Sequence, residues 1–205
     1  MSTISAVVFG SVNYDLIAKT KTFPLDGESV IDQNFYTSAG GKGGNQAVAL
    51  SRLGIETYMV CRIGDDYYGE ELLNSLKTFG VDVTMVGTQK SMNSGIAHIS
   101  VNDSGQNKII IIRGANATCS DVEINKIISK LDTTADALLL QMELPLDISL
   151  QAAKYAQKVK KLVVMDPAPA GIIPLESYKY FDYLIPNETE AEILVDHPVQ
   201  SKEQI

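Results

Sequence analysis

The sequence predicts an α/β fold in which a central, mostly parallel sheet is flanked by helices. The first observation is that short apolar runs alternate with helical patterns in the second half of the chain: the runs are 135–140, 162–165 and 183–185, and the helical patterns are 120–131 and 147–157. Such alternation is typical of right-handed β-α-β units, which build parallel sheets. The second observation is an apolar run at Ile4–Phe9, closed by Gly10-Ser11, which predicts a buried strand. The third is a composition of 45% hydrophobic and 20% charged residues, which is typical of a globular protein.

Length and charge limit the possible function classes. A chain of 205 residues can bury a substantial core, as one large domain or two small ones. The net charge of −8 argues against electrostatic binding to nucleic acid or to an anionic membrane surface. The sequence has neither a bilayer-spanning apolar run nor a signal-peptide pattern, so we expect a cytoplasmic protein. Cys61 and Cys119 lack metal-ligand spacing, which favours free thiols.

The segment after the first strand carries a pair of polar side chains. Residues 12–18 alternate loosely, and Asn13 and Asp15 are two positions apart. In an extended segment both side chains point to one face, where an amide and a carboxylate can bracket neighbouring hydroxyl groups. An Asx turn explains either residue alone, so that alternative stays open. A turn is predicted at 24–27 and a strand at 35–38.

A glycine-rich stretch at 39–50 predicts a turn that leads into a helix over 45–53. Glycine permits positive φ and close approach of the backbone to a ligand, and a helix start presents free N–H groups. Lys42 and Asn45 add polar groups that suit an oxygen-rich ligand. The residue order matches neither a P-loop nor a dinucleotide-binding fingerprint. The alternative is a turn that only packs the helix against the sheet.

The middle of the chain predicts a helix between β segments. Apolar residues at 57–63 and 81–86 predict strands, and 67–79 predicts a helix that begins after Asp65-Asp66. We interpret this acidic pair as a helix cap and a dipole partner rather than as metal ligands. Alternation over 95–113 around a polar turn predicts a β-hairpin.

Little in the sequence supports a Ser-His-Asp site. His98 lies on the predicted hairpin and His197 lies in a polar segment. Neither has a nearby partner that would indicate a catalytic or metal-binding role. A capping box at Ser120 and Glu123 predicts the start of the next helix.

Polar side chains follow three strands of the predicted parallel sheet. Glu143, Asp166 and Asn187 each come soon after an apolar run. Ligands of such sheets bind beyond the carboxyl ends of the strands, so these groups are expected to converge with the glycine-rich stretch. Each also has a purely structural explanation; Asn187 with Glu190 has the pattern of a helix cap and a returning carboxylate.

The order of these motifs along the chain resembles the PfkB carbohydrate kinase family, and within it the ribokinase branch. The resemblance is carried by Gly10-Ser11-Val12-Asn13-x-Asp15, Pro24-x-x-Gly27-Glu28, residues 40–49, Gly64-Asp65-Asp66, Gly114-Ala115-Asn116, Gln141-Met142-Glu143-x-Pro145, Asp166-Pro167-Ala168-Pro169-Ala170 and residues 186–192. It implies a single ribokinase-like domain over 1–205, with a small β lid built from about 12–38 and 95–113. It also implies a homodimer formed through this lid.

The resemblance implies an ATP-dependent kinase that phosphorylates the 5-hydroxyl of D-ribose. The alternative among enzymes is a kinase for another sugar or for a nucleoside. The residues implied to bind the sugar are Asn13, Asp15, Gly41, Lys42, Gly43, Asn45 and Glu143. Asn187 is implied to face the ATP phosphates, and Glu190 to organise Mg²⁺. A K⁺ site is implied for the part of the family sequence that follows these residues.

The sequence departs from the family pattern in three ways. Gly44 stands where alanine is usual, and Ser94 where threonine is usual. The chain also lacks the Gly-Ala-Gly-Asp motif, whose aspartate is the family's catalytic base and is expected beyond Ile205. No catalytic residue is therefore assigned within the chain. We expect a truncated kinase that is inactive alone; a non-catalytic sugar-binding or dimerising module is the alternative, and a dinucleotide-binding protein is a weaker one.

Overall fold

The computed structural model describes residues 4–31 and 34–199. The strands are β1 Ser5–Phe9, β2 Asn13–Thr20, β3 Asn34–Gly40, β4 Glu56–Val60, β5 Arg62–Gly64, β6 Gly87–Gln89, β7 Gly95–Asn102, β8 Asn107–Ile112, β9 Ala137–Leu140, β10 Leu162–Met165 and β11 Tyr183–Leu184. The helices are α1 Lys42–Arg52, α2 Tyr67–Thr78, α3 Asp121–Thr133, α4 Leu146–Lys158 and α5 Glu188–Val195. Short 3₁₀ helices cover Gly114–Thr118 and Leu175–Tyr180.

A parallel sheet of five strands forms the centre, in the order β11-β10-β9-β1-β4. Its two faces separate the side chains of β1, because successive residues of a strand point to opposite sides. Val7 and Phe9 pack into a core cluster with residues of α3 and α4, whereas Val8 packs with residues of α1 and α2. This confirms the predicted α/β fold with helices on both faces of a parallel sheet.

A second, four-stranded sheet has the order β3-β2-β7-β8; it is built from the segments that the resemblance implies for a lid and is called the lid sheet below. Strand β2 pairs antiparallel with β3 and parallel with β7, and β7 pairs antiparallel with β8. One row of this sheet runs Ser38, Asp15, Ala97, Ile111, and Asn13 lies on the same face as Asp15. The proposed lid boundaries at 12–38 and 95–113 stay a prediction, and residues 32–33 lie outside the described part.

Two strand predictions in the middle of the chain were wrong. The predicted strand 57–63 is interrupted at Cys61: β4 belongs to the central sheet, whereas β5 pairs with β6 in a separate two-stranded sheet. The predicted strand 81–86 makes a single bridge between Tyr58 and Asp82. Asp82 instead accepts hydrogen bonds from both the backbone and the hydroxyl group of Thr84, which turns the chain.

The capping residues predicted for α2 and α3 are confirmed. Helix α1 begins at Lys42, three residues before the predicted position. Asp66 accepts a hydrogen bond from the backbone N–H of Gly69 and so caps α2, as expected for the acidic pair. Ser120 and Glu123 form the predicted capping box of α3. Cys61 and Cys119 are free and buried. Among the described residues, every helix is too short or too polar to cross a membrane.

Candidate functional site

The candidate site lies where the loops after β1, β9, β10 and β11 meet. These strands are parallel neighbours in the central sheet, so their carboxyl ends lie at one edge. The loop after β9 is tied to the loop after β10, because the backbone N–H of Met142 donates to the carbonyl oxygen of Ala168 at 3.1 Å. The fold thereby gathers the polar residues that the sequence places after separate strands.

A polar cavity of about 180 Å³ lies between the lid sheet and these loops. Its lining consists of Ser11, Asn13, Ile111, Arg113, Asn116, Glu143 and Pro169. The Glu143 side chain is buried in this cavity and is 7% exposed. Its Oε2 atom accepts a short hydrogen bond from the Ser11 hydroxyl and a longer one, 3.4 Å, from Nδ2 of Asn13. A buried carboxylate with two donors is held in one orientation.

Asn116 fixes the position of Asn13 in the cavity. Its Oδ1 atom accepts from the backbone N–H of Val12 at 3.1 Å. Its Nδ2 atom donates to the Val12 carbonyl oxygen and to Oδ1 of Asn13, both at 2.9 Å. A Cβ atom at Gly95 would lie 2.7 Å from the Val12 carbonyl oxygen and would collide with both amide side chains. Glycine at position 95 therefore leaves room for the Asn13–Asn116 pair.

Asp15 lies beside the cavity, on the same face of β2 as Asn13. Burial, and to a smaller extent the negative charge of Glu143, raise the pKa of its carboxyl group to about 6. Its side chain lies over Gly40, where any Cβ atom would collide with the carboxylate. Asp15 of the lid sheet and Glu143 of the loop after β9 are therefore close enough to repel each other.

The glycine-rich stretch lets the backbone of the α1 start pack closely against the loop after β1. Gly41 has φ of +88°, which favours glycine, and it is the first residue before α1. A Cβ atom at Gly43 would lie 2.7 Å from Cα of Gly10, so the start of α1 packs directly on the loop after β1. The Gly44 N–H donates to the Ser11 carbonyl oxygen at 2.9 Å. Packing of a helix against the sheet, the structural alternative considered above, is therefore part of its role.

Lys42 and Asn45 lie apart from the Glu143 cavity. Lys42 lines a neighbouring groove together with Asp166, Asn187 and Glu190. Asn45 is exposed and borders a small gap next to Gly40 and α2. Of the side chains implied to bind sugar, the structure brings Asn13 and Glu143 together in one cavity and Asp15 next to them.

The groove has a volume of about 560 Å³ and follows the carboxyl ends of β9, β10 and β11. In its floor, Nε2 of Gln46 donates to Oδ2 of Asp166 at 3.0 Å, and Nε2 of Gln141 donates to Oε1 of Gln46 at 2.7 Å. Burial raises the pKa of Asp166, the Lys42 ammonium group opposes that shift, and the Glu190 carboxylate adds to it. The groove therefore combines one cation with two carboxylates.

Asn187 and Glu190 cap helix α5 at the end of this groove. Oδ1 of Asn187 accepts from the Glu190 N–H, and Oε2 of Glu190 accepts from the Asn187 N–H, both at 2.8 Å. This is the reciprocal capping box that the sequence indicated. The described residues contain no group of three or more His, Cys, Asp or Glu side chains arranged to hold a metal ion.

Sequence reasoning missed several residues of the site. Ser11 and Asn116 lie within motifs that carry the family resemblance, but only the structure gives them partners, Glu143 and Asn13. Gln46 directly follows Asn45 on α1 and could have been found by its place in the glycine-rich motif. Arg113, like Ile111, lies in the predicted 95–113 hairpin but in none of the motifs that carry the family resemblance, so the sequence gave no signal for its place in the cavity.

The sequence is similar to those of known sugar kinases. The chain is 38% identical to a ribokinase of Haemophilus influenzae over 187 residues, covering 91% of this chain and 61% of the relative. It is 35% identical to a deoxyribokinase of Salmonella typhi, covering 97% of this chain and 65% of the relative. The chain thus spans about three-fifths of the length of these curated relatives.

Solved structures show the same fold. The structure of Arabidopsis thaliana ribokinase complexed with ribose and ATP superposes with a TM-score of 0.87 at 33% identity, covering 98% of this chain and 66% of that chain. The family model for the pfkB family of carbohydrate kinases matches residues 3–205. The chain therefore belongs to the pfkB family of carbohydrate kinases.

Proposed function

We propose that this protein is an ATP-dependent kinase that phosphorylates the 5-hydroxyl of D-ribose. The observation that carries the proposal is the adjacency of two sites: the Glu143 cavity reaches Pro169, and the groove reaches Ala168, the preceding residue. Phosphoryl transfer requires an acceptor hydroxyl and a phosphate donor held in line. A polar cavity for the sugar beside a groove for the nucleotide meets that requirement.

The cavity side suits a polyol. Buried carboxylates accept hydrogen bonds from hydroxyl groups, and Asn13 can both donate and accept. Asp15, Glu143 and the backbone around Gly41 and Gly43 are the groups that we assign to the sugar. The ribokinase of Arabidopsis thaliana that was solved with ribose and ATP supports this assignment at 33% identity.

The groove side suits the phosphates of ATP. Lys42, which the resemblance assigned to the sugar, lies nearer to Asp166 and Glu190, where an ammonium group can also contact a phosphate. Asn187 adds an amide at the same edge. Asp166 and Glu190 supply oxygen ligands of the kind that Mg²⁺ uses together with substrate phosphates and water, and the ion would neutralise phosphate charge there. We also propose that the kinase activity depends on K⁺, and we assign no residue of this chain to that ion.

A second candidate substrate is deoxyribose. The observation that favours it is the deoxyribokinase relative, whose 35% identity is close to the 38% of the ribokinase relative. The two substrates differ by one hydroxyl group, which a single polar side chain can recognise.

Calorimetric titration of the 205-residue chain with D-ribose tests the sugar assignment, with fructose and adenosine as control ligands. We expect saturable binding of ribose, and a loss of roughly tenfold or more in affinity for Glu143→Gln, because a hydrogen bond to a charged group contributes about 1.5–3 kcal/mol. Asp103→Asn, in the turn after β7, is the control. A folded chain that ignores ribose but binds fructose or adenosine would refute the ribose assignment.

Turnover of the same sample with ribose and ATP tests a separate part of the proposal. The resemblance assigns the catalytic base to the aspartate of a Gly-Ala-Gly-Asp motif, and these 205 residues do not contain that motif. We therefore infer that the 205 residues bind sugar without phosphorylating it. Ribose-dependent consumption of ATP by this chain would overturn that inference. Binding without turnover also agrees with the alternative of a sugar-binding module.

Assembly and location complete the proposal. We infer a homodimer formed through the lid, because β8 is an edge strand with four successive exposed isoleucines, Ile109–Ile112. We also infer a cytoplasmic protein, since sugar phosphorylation draws on ATP. Neither nucleic acid nor a membrane is proposed as a partner.

A further inference from the structure

Arg113 is a cavity residue to which neither the sequence motifs nor the proposed function gives a role. It follows β8 directly and precedes the 3₁₀ helix Gly114–Thr118, which carries Asn116. Its side chain lines the same cavity as Glu143, together with Ile111 two residues before it. The residue after β8 thus adds a positively charged side chain to the lining of the candidate sugar site.

Most of the other side-chain donors of the cavity already bond within the described part of the protein, and one amide N–H of Asn13 is left over. The Ser11 hydroxyl and the Asn13 amide both donate to Glu143. The Asn116 amide donates to the Val12 carbonyl oxygen and to Asn13. These contacts hold the cavity walls together, so a ligand would compete with them for the same protons.

Arg113 differs because its guanidinium group makes no hydrogen bond or ion pair with any of the described residues. The side chain is exposed rather than packed into the cavity wall. A guanidinium group presents five N–H donors in a planar fork that can contact two neighbouring oxygen atoms. It therefore offers the largest set of donors in the cavity that are free to serve a ligand.

The ligand chemistry of the cavity calls for such a donor. Each hydroxyl group of a sugar donates one hydrogen bond and accepts others. Asp15 and Glu143 can accept hydrogen bonds from the hydroxyl groups of the sugar. An ionised carboxylate has no donor, so it cannot bond to the lone pairs of the sugar oxygens.

We propose that Arg113 binds the sugar by donating hydrogen bonds to two neighbouring oxygen atoms of a vicinal diol, and so determines which sugars the cavity accepts. This inference rests on the proposed function, since it assumes a sugar in the Glu143 cavity. It adds a residue and a recognition chemistry, the vicinal diol, to that site. Arg113 selects among sugars, whereas Glu143 and Asn13 bind a hydroxyl group of any polyol.

The test measures Kd by calorimetry for ribose and for ribose analogues that lack one hydroxyl group each, with the unchanged chain and with Arg113→Met. For ribose we expect Kd to rise roughly ten- to a hundred-fold in the variant, as for loss of a charged hydrogen bond. For the analogue that lacks a contacted hydroxyl, the unchanged chain should already bind weakly, and Arg113→Met should change Kd by less than about threefold.

Two further variants separate recognition from charge and folding. Arg113→Lys keeps the charge but loses the planar fork, so its Kd for ribose should lie between those of the unchanged chain and Arg113→Met. Lys108→Met removes one positive charge from β8, the strand that precedes Arg113, outside the cavity lining, and should leave Kd unchanged. Thermal melts of all variants should agree within a few degrees.

The outcomes are distinguishable. If the unchanged chain binds ribose and Arg113→Met binds it equally well, the role of Arg113 is refuted while the proposed function stands. If Arg113→Met weakens ribose and every analogue by the same factor, hydroxyl recognition is refuted. If the folded, unchanged chain binds none of these sugars, the proposed function fails and the role of Arg113 fails with it.

Discussion

At the scale of single residues, the site depends on small residues that make room for polar side chains. Gly95 leaves space for the hydrogen bond between Asn13 and Asn116, and Gly40 leaves space for the Asp15 carboxylate. A side chain at either glycine would displace a polar group that the cavity needs.

Asp15 is expected to make sugar binding depend on pH. Its pKa is raised from 3.8 to about 6, first by burial and then by Glu143. The ionised form accepts hydrogen bonds from sugar hydroxyl groups, so the affinity for ribose should be full above pH 6 and should fall as the pH drops through about 6. Calorimetric titrations between pH 5 and pH 8 measure this dependence. Asp15→Asn should flatten the profile, whereas Asp103→Asn should preserve it; an unchanged profile in Asp15→Asn would contradict the assignment.

The stability of the ligand-free chain should show the opposite dependence at Asp15. Because the pKa is higher in the folded state than the unfolded value of 3.8, the folded state binds more protons between pH 4 and pH 6, and stability falls as the pH rises through this window. Asp15 is only partly buried, so solvent screening reduces the loss to about 1 kcal/mol. Function and stability therefore favour different charge states of one side chain.

At the scale of secondary-structure elements, the start of α1 is built around close backbone contacts. Gly43 touches Gly10, and the Gly44 N–H is bonded to the Ser11 carbonyl oxygen. These contacts place the first turn of α1 directly over the loop that leads to Asn13. The helix thereby fixes both the position of Lys42 and the path of the sugar-facing strand β2.

Two neighbouring substitutions in α1 should have opposite effects on stability. Gly44→Ala adds a Cβ atom 3.4 Å from Cγ1 of Val12, an ordinary contact, and should raise the free energy of unfolding by about 0.5–1 kcal/mol because alanine is the better helix former. Gly43→Ala adds a Cβ atom 2.6 Å from the Gly10 carbonyl carbon and should lower it by about 1–3 kcal/mol, as overpacking does. Urea denaturation measures both; equal effects would contradict the packing described.

The outer strand of the lid should control assembly. Ile110 is 65% exposed on β8, an edge strand, so Ile110→Lys should convert the proposed dimer into a monomer by placing a charge in its interface. Sedimentation equilibrium measures the change, from twice the chain mass of 22.2 kDa to that mass. Val122→Lys, on the exposed side of α3, should leave the dimer intact. A monomeric unchanged chain would refute the proposed interface.

At the scale of the whole molecule, the parallel sheet decides which residues meet. Among the described strands, β11 is one edge of the central sheet and pairs only with β10. Apolar side chains beside this edge are strongly exposed: Ile172 is 92%, Leu175 84% and Ile185 59% exposed. An unpaired edge next to exposed apolar side chains favours association, so experiments on the chain need a concentration series.

The sequence by itself determined the α/β fold, the hairpin of β7 and β8, the caps of α2, α3 and α5, and the family. Each of these depends on local patterns: apolar periodicity, turn residues and capping side chains act within a few positions of the chain. The same local patterns misled at 57–63 and 81–86, because an apolar, β-rich run can be buried without pairing in one continuous strand.

Only the tertiary structure decided how the site is assembled. Ser11 and Glu143 are separated by 132 positions, and Asn13 and Asn116 by 103, so no local pattern can link them. It separated Lys42 from the Glu143 cavity and brought Arg113 to that cavity from outside the motifs that carry the family resemblance. The physical reason is that hydrogen bonds and charges act through distance in space, and the strand order of the folded sheets, rather than the order of residues, sets those distances.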